Sequence, residues 1–185
     1  MSSSGTYDNE LVARVVAQND TAAYGELVHR HQSQVRNFLR KLTGDTVLAD
    51  DLAQDCFMHA WGKLHTFVGY GSFVGWLLKV AYTTFLQSKR KSQRYDYILQ
   101  QLGHSHDTEQ HSSAQQCYEI TDLDRFLAVL TEQERAVMIL SYGCGLSHRE
   151  IANTAGLPVG TVKSIIFRGK EKIRERFEFS DNQYG

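Results

Sequence analysis

The sequence predicts an all-α fold in which two small helical domains are joined by a flexible linker. Three observations predict it. Apolar residues recur at helical spacing through most of the chain, whereas the alternation of half-buried strands is scarce. The 185 residues include one proline, so little interrupts a helix. The stretch "GHSHDTEQHSSAQQ" (103–116) has no aliphatic residue larger than alanine and no Lys or Arg. Such a segment cannot bury enough apolar surface to offset its ordering entropy, and it divides the helical pattern in two.

The elements follow in order. Helical spacing predicts a first helix over 8–18 and a second over 21–42. "TGD" (43–45) is a turn, and a third helix runs over 46–66. "FVGYGS" (67–72) is a glycine-containing loop; a fourth helix opens near Phe73 and continues into the high nineties. After the linker come helical patterns over 120–130, 132–143, 147–155 and 158–178. The expected organisation is a domain over 1–100, a linker over 101–119 and a domain over 120–185, with no internal repeat.

Composition narrows the function classes. Hydrophobic content of 42% and charged content of 22% suit a globular protein. Twenty Lys and Arg face 21 Asp and Glu, so any nucleic-acid surface must come from local clustering, not a global excess. Cys56, Cys117 and Cys144 are scattered and form no CxxC pair, which argues against a disulfide framework and fits a reducing compartment. No apolar run approaches the roughly 18 residues of a membrane span. The first ten residues have neither the basic nor the apolar region of a secretory leader, so a cytoplasmic protein is expected.

The second block carries clear helix punctuation. Thr131 with Glu134, and Ser147 with Glu150, have capping-box spacing, in which a hydroxyl takes an orphan amide and the glutamate reaches back. "YGCG" (142–145) ends one helix and Gly156 the next, and Pro158 opens the last, where its missing N–H costs nothing. A short helix, a tight turn and a second helix make a helix-turn-helix. At about 100° per residue, Val162, Ile166, Gly169, Ile173 and Phe177 form the core stripe of the last helix. Gly160, Ser164, Phe167, Arg168 and Glu171 lie opposite, flanked by Lys163 and Lys170. Positions 163–176 hold six basic residues against two acidic. Such a face could be solvated, with Phe167 covering a neighbouring helix. The helix-turn-helix punctuation favours DNA, because amides at a helix start take phosphate, arginine pairs with guanine and an apolar ring meets a thymine methyl.

The first block is less specific. In the third helix Ala53, Phe57, Ala60 and Leu64 form a buried stripe beside Trp61, with Asp51, Asp55 and Met58 opposite and Gln54 at the edge. Spacing alone fits either a solvated face or a protein partner. Trp76, Leu77 and Val80 should pack the fourth helix against the third. "SKRKSQR" (88–94) has four basic residues between 89 and 94, downstream of a loop carrying Tyr70. It suits a cradle for single-stranded DNA, and equally a solubilising helix end whose cations meet the negative dipole terminus.

Taken together, these stretches resemble the sigma-70 family of bacterial RNA polymerase, within it the small two-domain extracytoplasmic-function (ECF) sigma factors. "DLAQDCFMHAW" and "FVGYGSFVGWLLKVA" lie in a match from about Leu11 to Arg94 that resembles sigma region two. "LTEQERAVMIL", "GLSHREIA" and "LPVGTVKS" lie in a match from about Leu123 to Phe177 that resembles region four. The resemblance implies a sigma factor that directs core RNA polymerase to promoters and helps melt them, with no catalysis and no cofactor of its own. It implies that Asp51, Gln54, Asp55 and Met58 meet the polymerase clamp. Val68, Gly69, Tyr70, Gly71 and Ser72, with Lys79, Lys89 and Arg90, would capture the melted non-template strand of the minus-ten element. Base flipping has an unstacking cost of roughly a few kcal/mol that a snug pocket must offset. Thr161, Lys163, Ser164, Phe167, Arg168 and Arg149 would hold the duplex minus-thirty-five element. The resemblance also implies control by an anti-sigma factor, commonly membrane-anchored. Ile165, Gly169, Thr83 and His148 stand where the family more often has arginine, alanine, asparagine and tyrosine.

Two other readings compete with this one. One is a plain helix-turn-helix regulator with a ligand-sensing or dimerising N-terminal domain. The other is a metal role for His104, His106, His111 and Cys117, whose ligand types suit zinc or nickel. Those four lie in the linker without CxxC or HExxH spacing, so no metal is expected.

Overall fold

The computed structural model of the chain describes residues 3–69, 71–101 and 121–181. Tyr70, Cys117, the histidines at 104, 106 and 111, and nearly all of the expected linker lie outside the described residues.

The described residues form eight α-helices and no strand. Helix α1 (Ser3–Gln18) buries Leu11, Val12 and Val15. It begins five residues earlier than expected, and the added turn places the Tyr7 ring 4.9 Å from the Arg30 guanidinium. Asp8, at the expected start, is buried, accepting from Arg30 Nε at 3.0 Å and meeting His31 Nε2 at 3.1 Å. Helix α2 (Thr21–Thr43) starts where Asp20 accepts from the Ala23 amide. Its buried stripe, Ala23, Leu27, His31, Val35, Phe38, Leu39 and Leu42, keeps the helical period over the whole length.

Asp45 caps α3 (Thr46–Lys63) by accepting from the Val47 and Leu48 amides. A short 3-10 turn, Leu64–Thr66, leads into the loop before α4 (Phe73–Gln101). Ala53, Ala60 and Leu64 are buried as the spacing requires, together with Ala49, Leu52 and Cys56. Leu77 and Leu78 of α4 are buried, and the Cys56 thiol reaches the Leu77 carbonyl at 3.9 Å. Phe67, Phe73 and Trp76 cluster at the head of α4, and the His31 ring leans on Phe73 at 5.2 Å.

The second unit holds α5 (Asp122–Ala128), α6 (Glu132–Met138), α7 (His148–Ala155) and α8 (Val159–Asp181). Both expected capping boxes are present, and Thr121 with Asp124 forms a third on α5. Helix α6 does not continue regularly to 143: Ile139–Gly143 widens into a π turn, closed by the Cys144 amide on the Ile139 carbonyl at 2.9 Å. Lys172 clamps Glu134 through both carboxylate oxygens at 2.7 and 2.8 Å, and the Phe126 and Phe177 rings meet edge to face, tying α8 back to α5 and α6. Gly169 lies against Met138; a Cβ there would sit 3.2 Å from the sulfur. The glycine lowers helix propensity by about 1 kcal/mol relative to alanine, and in return lets α6 approach α8 closely.

Candidate nucleic-acid interface

The helix-turn-helix is assembled by local chemistry. Ser147 caps the Glu150 amide, while Glu150 Oε2 accepts from the Ser147 amide at 2.9 Å and hydroxyl at 2.8 Å. Gly156 turns the chain at a left-handed φ of 67°, its N–H on the Ala152 carbonyl. The Pro158 carbonyl then accepts from Val162, starting α8. Val162, Ile165 and Ile166 are buried, as is Gly169. Their burial rotates Lys163, Ser164, Phe167 and Arg168 into solvent, with Thr161 half-buried at the edge and Arg149 exposed on α7. Phe167 is 66% exposed and so covers no neighbouring helix. The Arg168 Nε–H reaches the Ser164 carbonyl at 3.4 Å, which keeps the guanidinium along this face.

The core stripe of α8 is wider than the spacing suggested. Ile165 was expected as an outer position that had lost an arginine contact, yet it is 3% exposed and packs into the core. Residues 165 and 166 share the buried side, and Ile165 belongs to the packing of the unit.

The second candidate surface lies before α4. Val68 is exposed, and Gly69 and Gly71 hold φ values of 77° and 91°, a region L side chains rarely adopt. Ser72 is the effective cap of α4: its carbonyl accepts from Trp76 and its hydroxyl from the Gly75 amide at 3.1 Å. Beside it runs a cleft of about 490 Å³ whose wall includes Thr66, Val68, Gly71, Trp76, Lys79 and Thr83. Trp76 donates to Thr66 at 3.3 Å and stacks over Phe73, so its ring is fixed. Trp76 and Thr83 were not among the expected site residues. The spacing 72, 76, 79, 83 down one face of α4 could have found them. Lys89 and Arg90 are exposed further along the helix.

The cleft is also lined by Glu150 and Asn153 of α7. Ser72 donates to Glu150 Oε1 at 2.5 Å, and Lys79 donates to Asn153 Oδ1 at 2.9 Å. Thr154, buried, donates to the Gly75 carbonyl at 3.3 Å. Lys89 forms an ion pair with Glu132 at the start of α6, and Gln34 reaches the Cys144 carbonyl at 3.5 Å. Burial pushes the Glu150 carboxyl up, but hydrogen bonds from Ser72 and from the Ser147 amide and hydroxyl outweigh it and hold the group below its ordinary value.

The third surface is the outer side of α3. Asp51, Gln54 and Asp55 are exposed and Met58 is 72% exposed. Val47 and Leu48, one to two turns earlier, are exposed too and extend this acidic face with an apolar end. Asp50 differs from its neighbours: Arg40 and Arg36 pair with it at 3.2 and 3.7 Å. Among the described residues no group of three or more His, Cys, Asp or Glu is placed to hold a metal ion, and no helix is long and apolar enough to cross a membrane.

Comparison with known proteins gives these surfaces a context. The family model for Sigma-70 region 2 matches residues 27–95, and that for Sigma-70 region 4 matches residues 120–173. The chain is 28% identical over 166 residues to the ECF RNA polymerase sigma factor RpoE of Cereibacter sphaeroides, covering 89% of this chain and 92% of that protein. It is 30% identical over 177 residues to the RNA polymerase sigma-H factor of Pseudomonas aeruginosa, covering 90% and 91%. Among solved structures, the sigma factor RpoE in complex with the anti-sigma factor NepR from Bartonella quintana superposes with a TM-score of 0.67 at 24% identity, over 84% of this chain and 96% of that one. CnrH in complex with the cytosolic domain of CnrY superposes with a TM-score of 0.68 at 23% identity, over 93% and 97%. These likenesses favour the sigma-factor reading over a helix-turn-helix regulator with an unrelated N-terminal domain. The chain belongs to the sigma-70 family, among the extracytoplasmic-function sigma factors.

Proposed function

We propose that the two units hold one promoter at two places. The α8 face, with Lys163, Ser164, Phe167 and Arg168 and with Thr161 and Arg149 at its margin, reads the duplex minus-thirty-five element from the major groove. The loop and cleft at Val68–Ser72, with Lys79, Lys89 and Arg90, take the melted non-template strand of the minus-ten element. The outer side of α3, with Asp51, Gln54, Asp55 and Met58, binds the clamp of core RNA polymerase, which supplies the chemistry. One observation carries this reading: an aromatic ring and an arginine stand exposed one residue apart in the early turns of a helix whose other side is core. Such a ring suits a thymine methyl and such an arginine suits guanine.

The chain then works where the polymerase works, in the cytoplasm, as a specificity subunit without catalysis of its own. One of its structural neighbours is a sigma factor in complex with the anti-sigma factor NepR. By that likeness an anti-sigma partner, anchored in the membrane or free, restrains this chain as well. The domain limits we adopt are 1–100 and 120–185.

The test is association with core enzyme followed by footprinting. The purified chain should bind core RNA polymerase, and the complex should protect two separate promoter segments, with only the downstream one melted. A chain that binds duplex DNA equally well with and without core enzyme, and protects a single segment, would overturn the proposal.

A further inference from the structure

Helix α8 holds its cations in two kinds of setting. Lys172 pairs with Glu134 and Arg174 with Glu171, so a carboxylate offsets each charge. Lys170 instead lies over the Tyr142 ring, its ammonium 5.2 Å from the ring centroid. That distance is within cation–π range. The ring attracts the cation through its quadrupole but carries no net charge. The ammonium is thus held while its charge stays available to an anion.

The Tyr142 ring is 59% exposed, so core packing does not require it. It stands on the π turn Ile139–Gly143, which closes through the Cys144 amide on the Ile139 carbonyl and is followed by the Leu146 amide on the Leu140 carbonyl at 3.0 Å. Such turns are rare, and they recur at functional sites. The close approach of α6 to α8 sets the pair. Met138 meets α8 at Gly169; Tyr142 is four residues beyond Met138, and Lys170 is the residue after Gly169. On α8, Lys163, Phe167 and Lys170 follow at spacings of four and three, so they lie along one side of the helix. All three are exposed. Lys170 therefore borders the face that presents the exposed ring and arginine.

We infer that Tyr142 is a positioning residue for DNA binding: its ring holds Lys170 at the margin of the α8 face, against a phosphate of the upstream duplex. This rests on reading α8 as the duplex-reading helix. A lysine stem is long and flexible, and a cation already held loses less freedom on binding. The contact adds affinity and fixes register. It adds no sequence preference, because a phosphate is the same at every base step.

The test uses the full chain assembled with core RNA polymerase, and a duplex promoter fragment selected by the wild-type complex. Binding is measured from about 50 to 200 mM salt. Lys170→Gln should weaken binding about three- to tenfold at the low end and make the salt slope about 0.9 shallower, as one phosphate contact is lost. Tyr142→Leu should also weaken binding and flatten the slope, although the lysine is still present. The double variant should be no worse than Lys170→Gln alone. Tyr142→Phe keeps the ring and should keep the wild-type slope. The preferred upstream letters should be the same throughout. A wild-type slope in Tyr142→Leu, or a Tyr142→Phe as weak as Tyr142→Leu, would overturn the inference. So would a Tyr142→Leu that loses affinity for core enzyme with its salt slope unchanged, since the ring would then be a protein contact. Arg168→Ala separates the two levels. If it leaves duplex binding intact, the reading of α8 falls, and the inference with it. If it weakens binding while the Tyr142 and Lys170 variants behave as wild type, the inference alone falls.

Discussion

Ile166 and Phe167 are consecutive residues of α8, and one is 7% exposed while the other is 66% exposed. The buried neighbour anchors the helix, so the exposed ring is held without contributing to the core. Phe167→Ala should therefore leave unfolding free energy within about 0.5 kcal/mol of wild type. In the complex with core enzyme, it and Arg168→Ala should each weaken the upstream duplex by about 1–3 kcal/mol. Denaturant titration beside electrophoretic binding separates the two effects. A loss of stability comparable to the loss of binding would mean that Phe167 packs.

Gly169 trades helix propensity for proximity. An alanine there gains about 1 kcal/mol of propensity but must displace the Met138 sulfur, a flexible chain end. The two effects should nearly cancel, leaving Gly169→Ala within about 1 kcal/mol of wild type. Gly169→Leu cannot be absorbed in this way and should cost about 2 kcal/mol or more through overpacking. Thermal unfolding of both variants checks the pair.

Acid sensitivity follows from two glutamates. For Glu134, burial pushes the carboxyl up, but the Lys172 ammonium and the Thr131 amide and hydroxyl pull it below its ordinary value of 4.5; Glu150 is lowered as well. The unfolded chain therefore binds more protons than the folded one just below that value, and stability rises with pH through the interval. Their contribution should be complete above about pH 4.5, flat between pH 6 and 8, and lost as the pH falls through the folded values. Glu134→Gln keeps an acceptor for the cap but loses the charge facing the part-exposed Lys172. It should cost about 1 kcal/mol at pH 7, with the difference shrinking in acid. Unfolding midpoints of both proteins from pH 3 to 7 measure it.

The acidic side of α3 should be separable from folding and from DNA. Asp55→Arg reverses a charge on an exposed position and should change stability by less than about 0.5 kcal/mol. It should lower affinity for core polymerase about tenfold or more, by bringing like charges together or losing an interfacial pair. Met58→Ala should weaken the same association more modestly. Competition against another sigma factor for core enzyme is the readout.

Helices were legible wherever short-range chemistry decides them. Thr131 with Glu134 and Ser147 with Glu150 gave the second unit's helix starts, because a capping box is complete within four residues. The exposed Phe167 and the acidic face of α3 were legible for the same reason, since periodicity alone sets which side is wet. What was missed depends on distance along the chain. The burial of Ile165 needs α6 and α7 in place beside α8. The π turn at Ile139–Gly143 comes from packing that no capping signal announces. Ser72 and Glu150 are 78 positions apart, and nothing in either local pattern pairs them. The α1 extension to Ser3 is similar: the Tyr7 ring finds its partner, the Arg30 guanidinium, on α2.

Run-off transcription tests the central claim most directly. The purified chain is added to core RNA polymerase on a library of promoter fragments randomised at two separated blocks. The account predicts transcripts from a subset of templates that share letters at both blocks. It also predicts that Arg168→Ala relaxes the choice at the upstream block, while substitution at Tyr70 or Ser72 impairs opening at the downstream one. Transcription no greater than that of core enzyme alone, or a chain whose every variant disturbs both blocks alike, would contradict it.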